Sequence, residues 1–407
     1  MEQAVRSYNV GGVLLNRPFK IRRLGHFGMN LEYLDAGSHF YLDLIGFKLT
    51  DISDLSKSPR APKVSKPRDW RLFFASHNTD HHAFVFADRT LNALMFGDDF
   101  RPDNTINQLT WQVGTLSEVS DAIEYLRERG IAIQRLGRDM PGANWHVYFT
   151  DPDGHTVELY YGMEQRGWDG LSRPRVMFDR RYNEEAPLPQ ISEQDEVEQA
   201  KAAGVDIFSG YRALDTALPS RYDVGGVMLP RPFKVTKIGP VSLFVDDVAR
   251  SEAFYVDTLG FVKTEEMSYR GQRCVFLRNG TEHHSLTLVP KALRSVLGLG
   301  AHTSCMSFGV EVGSYTQLRD AVAFLKEHGV RFSDAIPPEF HPGIDYAAYA
   351  LDPDGTCIQL YYYMEQIGWD GKPRPPELRR RVSSEWPDTL EPLSDTYVDQ
   401  TFQGPLG

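Results

Sequence analysis

Apolar and polar positions along this chain switch between two spacings, and the switches mark its elements. Residues 24–31 alternate as a strand does, and 35–45 carry apolar positions at helical spacing up to Gly46. The runs 70–75 and 81–87 are β-rich. The order then restarts: a strand over 107–113, a helix over 117–129 ending at Gly130, then strands over 131–136, 145–150 and 156–161. Each half of the chain therefore reads twice as strand, helix, then several strands. Right-twisted sheets of this kind can pair edge to edge into an open curved barrel with a concave face for a ligand.

The halves repeat each other. YNVGGVLLNRPFK at 8–20 returns as YDVGGVMLPRPFK at 222–234, and FYLDLIGF at 40–47 as FYVDTLGF at 254–261. TDHHAFVF at 79–86 matches TEHHSLTL at 281–288, and DPDGHTVELYYGMEQ at 151–165 matches DPDGTCIQLYYYMEQ at 352–366. The offset falls from 214 to 201, so the first half holds about 13 extra residues, expected in the Lys/Pro/Ser-rich stretch 51–69. The expected organisation is an α+β tandem: a first domain over 1–170, a linker over 171–221, a second domain over 222–372, and an acidic, Pro-rich tail over 373–407. Within the linker, Ser192 and Asp195 suit a helix start and Gly204 a stop.

Composition narrows the ligand class. The chain has 407 residues, 55 acids against 44 bases and a net charge of −11, which argues against a nucleic-acid or anionic-membrane partner. A neutral, aromatic or apolar small molecule fits better. Three scattered cysteines make neither a disulfide framework nor a zinc site, so a reducing cytoplasm is expected. There is no signal-like N-terminus and no membrane-spanning run. DPDG lacks the ligand spacing of a calcium loop and reads as a tight turn.

Alternation puts His26, Gly28 and Asn30 on one face of a strand. The same rule groups Gln108, Thr110 and Gln112 on a second strand, and Thr156, Glu158 and Tyr160 on a third. A carboxylate on an inner face needs a partner, and a metal ion is one. His26, Gln108 and Glu158 could thus converge inside one barrel.

LGHFG followed by FYxDxxGF and a DPDGxxxEL closing strand resembles the vicinal oxygen chelate superfamily of glyoxalases, bleomycin-resistance proteins and extradiol ring-cleaving dioxygenases. NTDHHAFVF at 78–86 is similar to the dioxygenases in particular. The resemblance implies four βαβββ modules in two tandem open-barrel domains. It also implies an Fe(II) or Mn(II) held by two His and one carboxylate, with open positions for an aromatic substrate and O₂. His26 matches the first ligand and Glu158 the third, while the second, a histidine in the family, is Gln108 here. The acid–base histidine maps onto His81, followed by His82, and Tyr148 stands where a tyrosine lies near substrate oxygen. His146, two residues earlier, is a candidate substitute for the missing histidine, and Asp139 stands where ring-cleaving relatives commonly carry a histidine. In the second half the ligand positions read Pro240, Ser307 and Gln359, so that half is expected to hold no metal. His283, His284 and His341 there are expected to be structural. The expected protein is an extradiol-type dioxygenase and a homo-oligomer. The alternatives are an isomerase, lyase or cyclase using His and Glu, and a sequestering protein without turnover.

Overall fold

A computed structural model of the chain describes residues 6–57, 66–92, 105–138, 141–142, 145–177, 180–182, 184–214, 216, 218–300, 302–383 and 385–398. The first half builds one curled sheet from β1 (Arg23–Leu31), β2 (Lys48–Asp54), β3 (Arg71–Ser76), β4 (Phe84–Asp88), β5 (Ile106–Gln112), β6 (Arg135–Arg138), β7 (His146–Thr150), β8 (Thr156–Tyr160) and β9 (Arg180–Tyr182). Their order across the sheet is β9-β6-β7-β8-β5-β1-β4-β3-β2. β5 pairs in parallel with β8 and antiparallel with β1, so the opening strands of both modules meet at the centre of the sheet. The second half repeats this with β10 (Val235–Val245), β11 (Val262–Tyr269), β12 (Gln272–Arg278), β13 (Leu286–Pro290), β14 (Cys305–Val312), β15 (Arg331–Phe332), β16 (Ala347–Leu351) and β17 (Cys357–Tyr361). The order there is β11-β12-β13-β10-β14-β17-β16-β15. These are the two tandem half-barrels with few helices that the repeat pattern predicts.

The helices follow the apolar spacing. α1 (Leu34–Ser38) widens into a π-turn over His39–Ile45, closed by Gly46 at φ 103°. α2 (Leu116–Glu128) starts at Thr115, whose side chain accepts the Glu118 N–H. In the linker, α3 (Glu193–Ala202) is capped by Ser192 and followed by Gly204 at φ 77°. α4 (Val248–Ala253) and α5 (Tyr315–Glu327) are the second-half counterparts of α1 and α2. Two boundaries shift: residues 81–83 and 131–134 lie outside strands. The extra length falls where the offset requires. β11 and β12 are joined by Arg270 and Gly271 alone, both at positive φ, whereas residues 55–70 separate β2 from β3.

The halves share one core. Phe27 stacks on Phe308 with ring centroids 4.5 Å apart, and Trp111 meets Phe261 edge-on at 4.8 Å. The repeated motifs lock across this boundary. The Tyr41 hydroxyl donates to Asp352 at 2.7 Å and the Tyr255 hydroxyl to Asp151 at 2.9 Å. Asp153 accepts from the Asp246 N–H, and Asp354 from the N–H groups of Glu32 and Tyr33. DPDG is therefore more than a turn, because its two carboxylates hold the first-module helix region of the opposite half.

Candidate active site

The centre of the first sheet gathers four polar residues in adjacent strands. Register places His26 opposite Thr110, Thr110 beside Glu158, and Glu158 opposite Tyr148. All four are buried. His26 Nε2 lies 3.1 Å from Glu158 Oε2, and Thr110 Oγ1 donates to the same oxygen at 2.8 Å. His146 Nδ1 is 3.6 Å from the other carboxylate oxygen. Burial acts to raise the Glu158 pKa, but His26, His146 and a hydrogen bond from Tyr148 outweigh it and hold the pKa at about 2. Glu158 is thus a carboxylate at any working pH. Gly25 leaves the space that the Tyr160 ring fills, and that ring sits 5.2 Å from the His26 ring.

The paired histidines form two layers. The His82 ring meets His26 edge-on at 4.5 Å and Phe74 at 5.0 Å, so it faces the site. His81 stands behind it: its Nδ1 is 3.0 Å from His82 Nδ1 and its Nε2 is 3.3 Å from Asp51 Oδ2. Burial, then the adjoining His26 and His81, keep His82 well below the usual histidine pKa, so its ring is neutral. Gly142, at φ 62°, is seated against the His81 ring so closely that a Cβ would overlap it. Asp51 and Thr110 are the residues that sequence reasoning passed over. Asp51 was findable, since the 214-residue offset pairs it with Glu265, another acid.

The expected site residues divide as follows. His26, Glu158, His146, Tyr148 and His82 converge on the concave face, while His81 reaches it only through His82. Gln108 lies one pair further along β5, opposite Gly28 and partly exposed, and the β5 hydrogen bond to Glu158 comes from Thr110 instead. Asp139 lies outside the described residues.

Among the described residues, no three His, Cys, Asp or Glu side chains already stand as a closed metal cluster. The His26–Glu158 pair nonetheless fits an ion. Two ligands at right angles on a divalent cation with bonds of about 2.1 Å lie about 3 Å apart, and His26 Nδ1 is buried without a partner. His146 Nδ1, 3.6 Å from Glu158 Oε1, is a further nitrogen donor. Two histidines and a carboxylate are the donor set of non-haem Fe(II) sites.

In the second half the corresponding face is neutral. Gln359 replaces Glu158 opposite Tyr349, and Ser307 lies across from Ser242. The histidine relay persists: His283 Nδ1 is 3.1 Å from His284 Nδ1, and His283 Nε2 is 3.1 Å from Glu265. The three cysteines are free and buried. No helix among the described residues is long and apolar enough to cross a membrane.

This fold and site define a tandem member of the vicinal oxygen chelate class. The chain belongs to the Glyoxalase/Bleomycin resistance protein/Dioxygenase superfamily, whose model matches residues 23–159 and 237–360. It is 24% identical over 305 residues to a catechol-2,3-dioxygenase of Bacillus subtilis (strain 168), covering 75% of this chain and 87% of that one. It is 27% identical over 146 residues to a biphenyl-2,3-diol 1,2-dioxygenase of Metapseudomonas furukawaii, covering 36% and 42%. Among solved structures, a catechol 2,3-dioxygenase superposes with a TM-score of 0.55 at 16% identity over 92% of this chain and 97% of that one. A Mn(II)-bound glyoxalase from Novosphingobium aromaticivorans gives 0.53 at 14% identity over 86% and 85%.

Proposed function

We propose that the chain is a ring-cleaving, extradiol-type dioxygenase acting on a catecholic or polyphenolic ring with O₂, at a divalent metal centre in its first half. Fe(II) is the proposed metal ahead of Mn(II). The observation that carries this reading is the buried His26–Glu158 pair, present in the half whose repeat has Pro240 and Gln359 at the same places. Its relatives' names supply the substrate class.

His26 and Glu158 would hold the ion, with His146 the third donor and Gln108 the alternative that the resemblance indicates. Bound there, a divalent ion would supply a template for vicinal oxygens and O₂ and a route for electrons between them. The chain's own residues do the rest. Neutral His82 takes a proton from a bound hydroxyl and returns it, and His81, anchored to Asp51, fixes its ring. Tyr148 and Thr110 hold the Glu158 carboxylate in place, and Phe74 closes the apolar side of the histidine pair. A homo-oligomer in a reducing cytoplasm completes the proposal, and the unpaired cysteines support that compartment.

The test is metal analysis of protein purified without air, with ring opening of catechol and 2,3-dihydroxybiphenyl followed by absorbance. About one iron per chain and iron-dependent turnover are expected. Turnover of a substrate by metal-free protein would overturn the reading in favour of acid–base chemistry.

A further inference from the structure

The second half holds a cavity of about 540 Å³ that the reaction above does not use. Its wall includes His341, Ile344, Tyr363, Arg374, Arg379 and Val382. His341 belongs at once to this cavity and to the concave face of the second sheet. Its ring stacks on His284 at 5.8 Å and 15°, and lies 6.0 Å from Tyr349 and 6.4 Å from Phe276. Only 1% of it is exposed, and neither ring nitrogen has a hydrogen-bond partner. Burial brings its pKa down to about 3, so the neutral ring offers one donor and one acceptor.

Arg374 is 8% exposed, and its side chain donates to the Ser394 carbonyl at 2.8 Å while its Nε–H has no partner. Arg379 is clamped on Glu265 through both terminal nitrogens, and its Nε–H is likewise unpartnered. Among the acids on the cavity wall, Asp345 is occupied by Arg380 at 3.0 Å and by the Tyr362 hydroxyl at 2.8 Å. Glu365 accepts the Arg374 backbone N–H. Buried donors left unmatched are costly, and a planar guanidinium edge matches a carboxylate. Behind His341 the face that carries Glu158 in the first half carries the neutral Gln359, which hydrogen-bonds Tyr349. Glu339 is the third acid of the cavity wall.

We propose that this cavity is a second, metal-independent ligand site for a flat carboxylate-bearing molecule of the aryl or conjugated type. The carboxylate faces Arg374 and Arg379, a hydroxyl or carbonyl meets His341, and the apolar body lies along Ile344 and Val382. The site stands apart from the centre at His26 and Glu158, and the proposal does not depend on ring cleavage.

The probe is 4-hydroxybenzoate, titrated calorimetrically into the full chain before and after chelator treatment. Saturable one-to-one binding is expected, unchanged by chelation and by His26→Ala. His341→Phe keeps the ring packing and removes both nitrogens, and Arg374→Lys keeps the charge and removes the Nε–H. Each should weaken binding at least tenfold, with the melting temperature of His341→Phe near that of the parent. Should Arg374→Lys fail to fold, His341→Phe alone decides. Three results would each overturn the proposal: no binding, loss of binding on chelation or in His26→Ala, or equal affinity for 4-hydroxybenzyl alcohol.

Discussion

Replacing Thr110 by Val tests the site at its least obvious residue. Val keeps the shape and the β-branched packing of a central strand but cannot donate to Glu158 Oε2, the oxygen that also faces His26. A hydrogen bond to a buried charged group contributes about 1.5–3 kcal/mol. At about 1.4 kcal/mol per tenfold, that is roughly 10- to 100-fold in an equilibrium that needs the carboxylate so placed. Loss of partners behind metal ligands costs the same order in metal affinity. The assay is competition of anaerobically loaded Fe(II) or Mn(II) against a graded chelator, with far-ultraviolet circular dichroism to verify the fold. Thr110→Val should release metal roughly 10- to 100-fold more readily, while Gln108→Ala should change retention by less than threefold. The reverse order would refute the reasoning and make Gln108 the ligand.

Further outcomes follow from the same geometry. His82→Gln should lower turnover by at least about a hundredfold with metal content retained, since acid–base groups typically contribute 10²- to 10⁴-fold. His81→Gln should cost less and shift the pH profile, and an equal or larger loss from His81→Gln would place the proton on the wrong ring. Asp352, which burial raises from 3.8 to about 7, keeps its proton in the folded chain between those values while the unfolded chain has lost it. Stability should therefore fall as pH rises from about 4 to 7, by a few kcal/mol at most. Asp352→Asn, still able to accept the Asp354 and Thr356 N–H groups, should flatten that window in denaturant titrations. Exchanging residues 56–68 for a two-residue turn like Arg270-Gly271 should leave a soluble, cooperatively melting protein, because loop-closure entropy changes slowly with length.

The fold was legible because both of its periodicities were strong and each was repeated. The offset between halves even located the extra loop, because a two-residue turn in one half exposes a long connection in the other. Side-chain alternation put His26 and Glu158 on faces that meet, with His26 Nε2 3.1 Å from Glu158 Oε2, while Tyr148 came from the resemblance alone. What it could not supply was register. Gln108 and Thr110 share a face, and only the pairing of His26 and Glu158 with Thr110 shows which of them meets the carboxylate. The same gap separates His81 from His82. Adjacent residues before a strand point to opposite sides, and the sequence does not say which side is the barrel. Long-range partners such as Tyr41 with Asp352 were illegible for a simpler reason: they stand 311 positions apart, and the motif that joins them looks locally like a turn.

The duplicated half sharpens what counts as evidence for chemistry. An acid–histidine–histidine relay occurs in both halves, as Asp51–His81–His82 and as Glu265–His283–His284, yet the positions that hold His26 and Glu158 in the first half hold Pro240 and Gln359 in the second. The relay alone is therefore a feature of this scaffold, which seats its first histidine against a glycine, Gly142 or Gly343, in either half. What differs is the neighbour of the inner ring: His26 beside His82, and His341 beside His284. The same contrast recurs at the interlocking aspartates. Asp151 is paired with His155 at 2.8 Å and, against the burial that would raise it, sits below its usual pKa. Asp352 has Thr356 at the matching place and is raised. The halves thus differ partner by partner at matching positions of a shared strand order. The first half gathers histidines around the Glu158 carboxylate, whereas the second has the neutral Gln359 at that position and sets His341 beside His284.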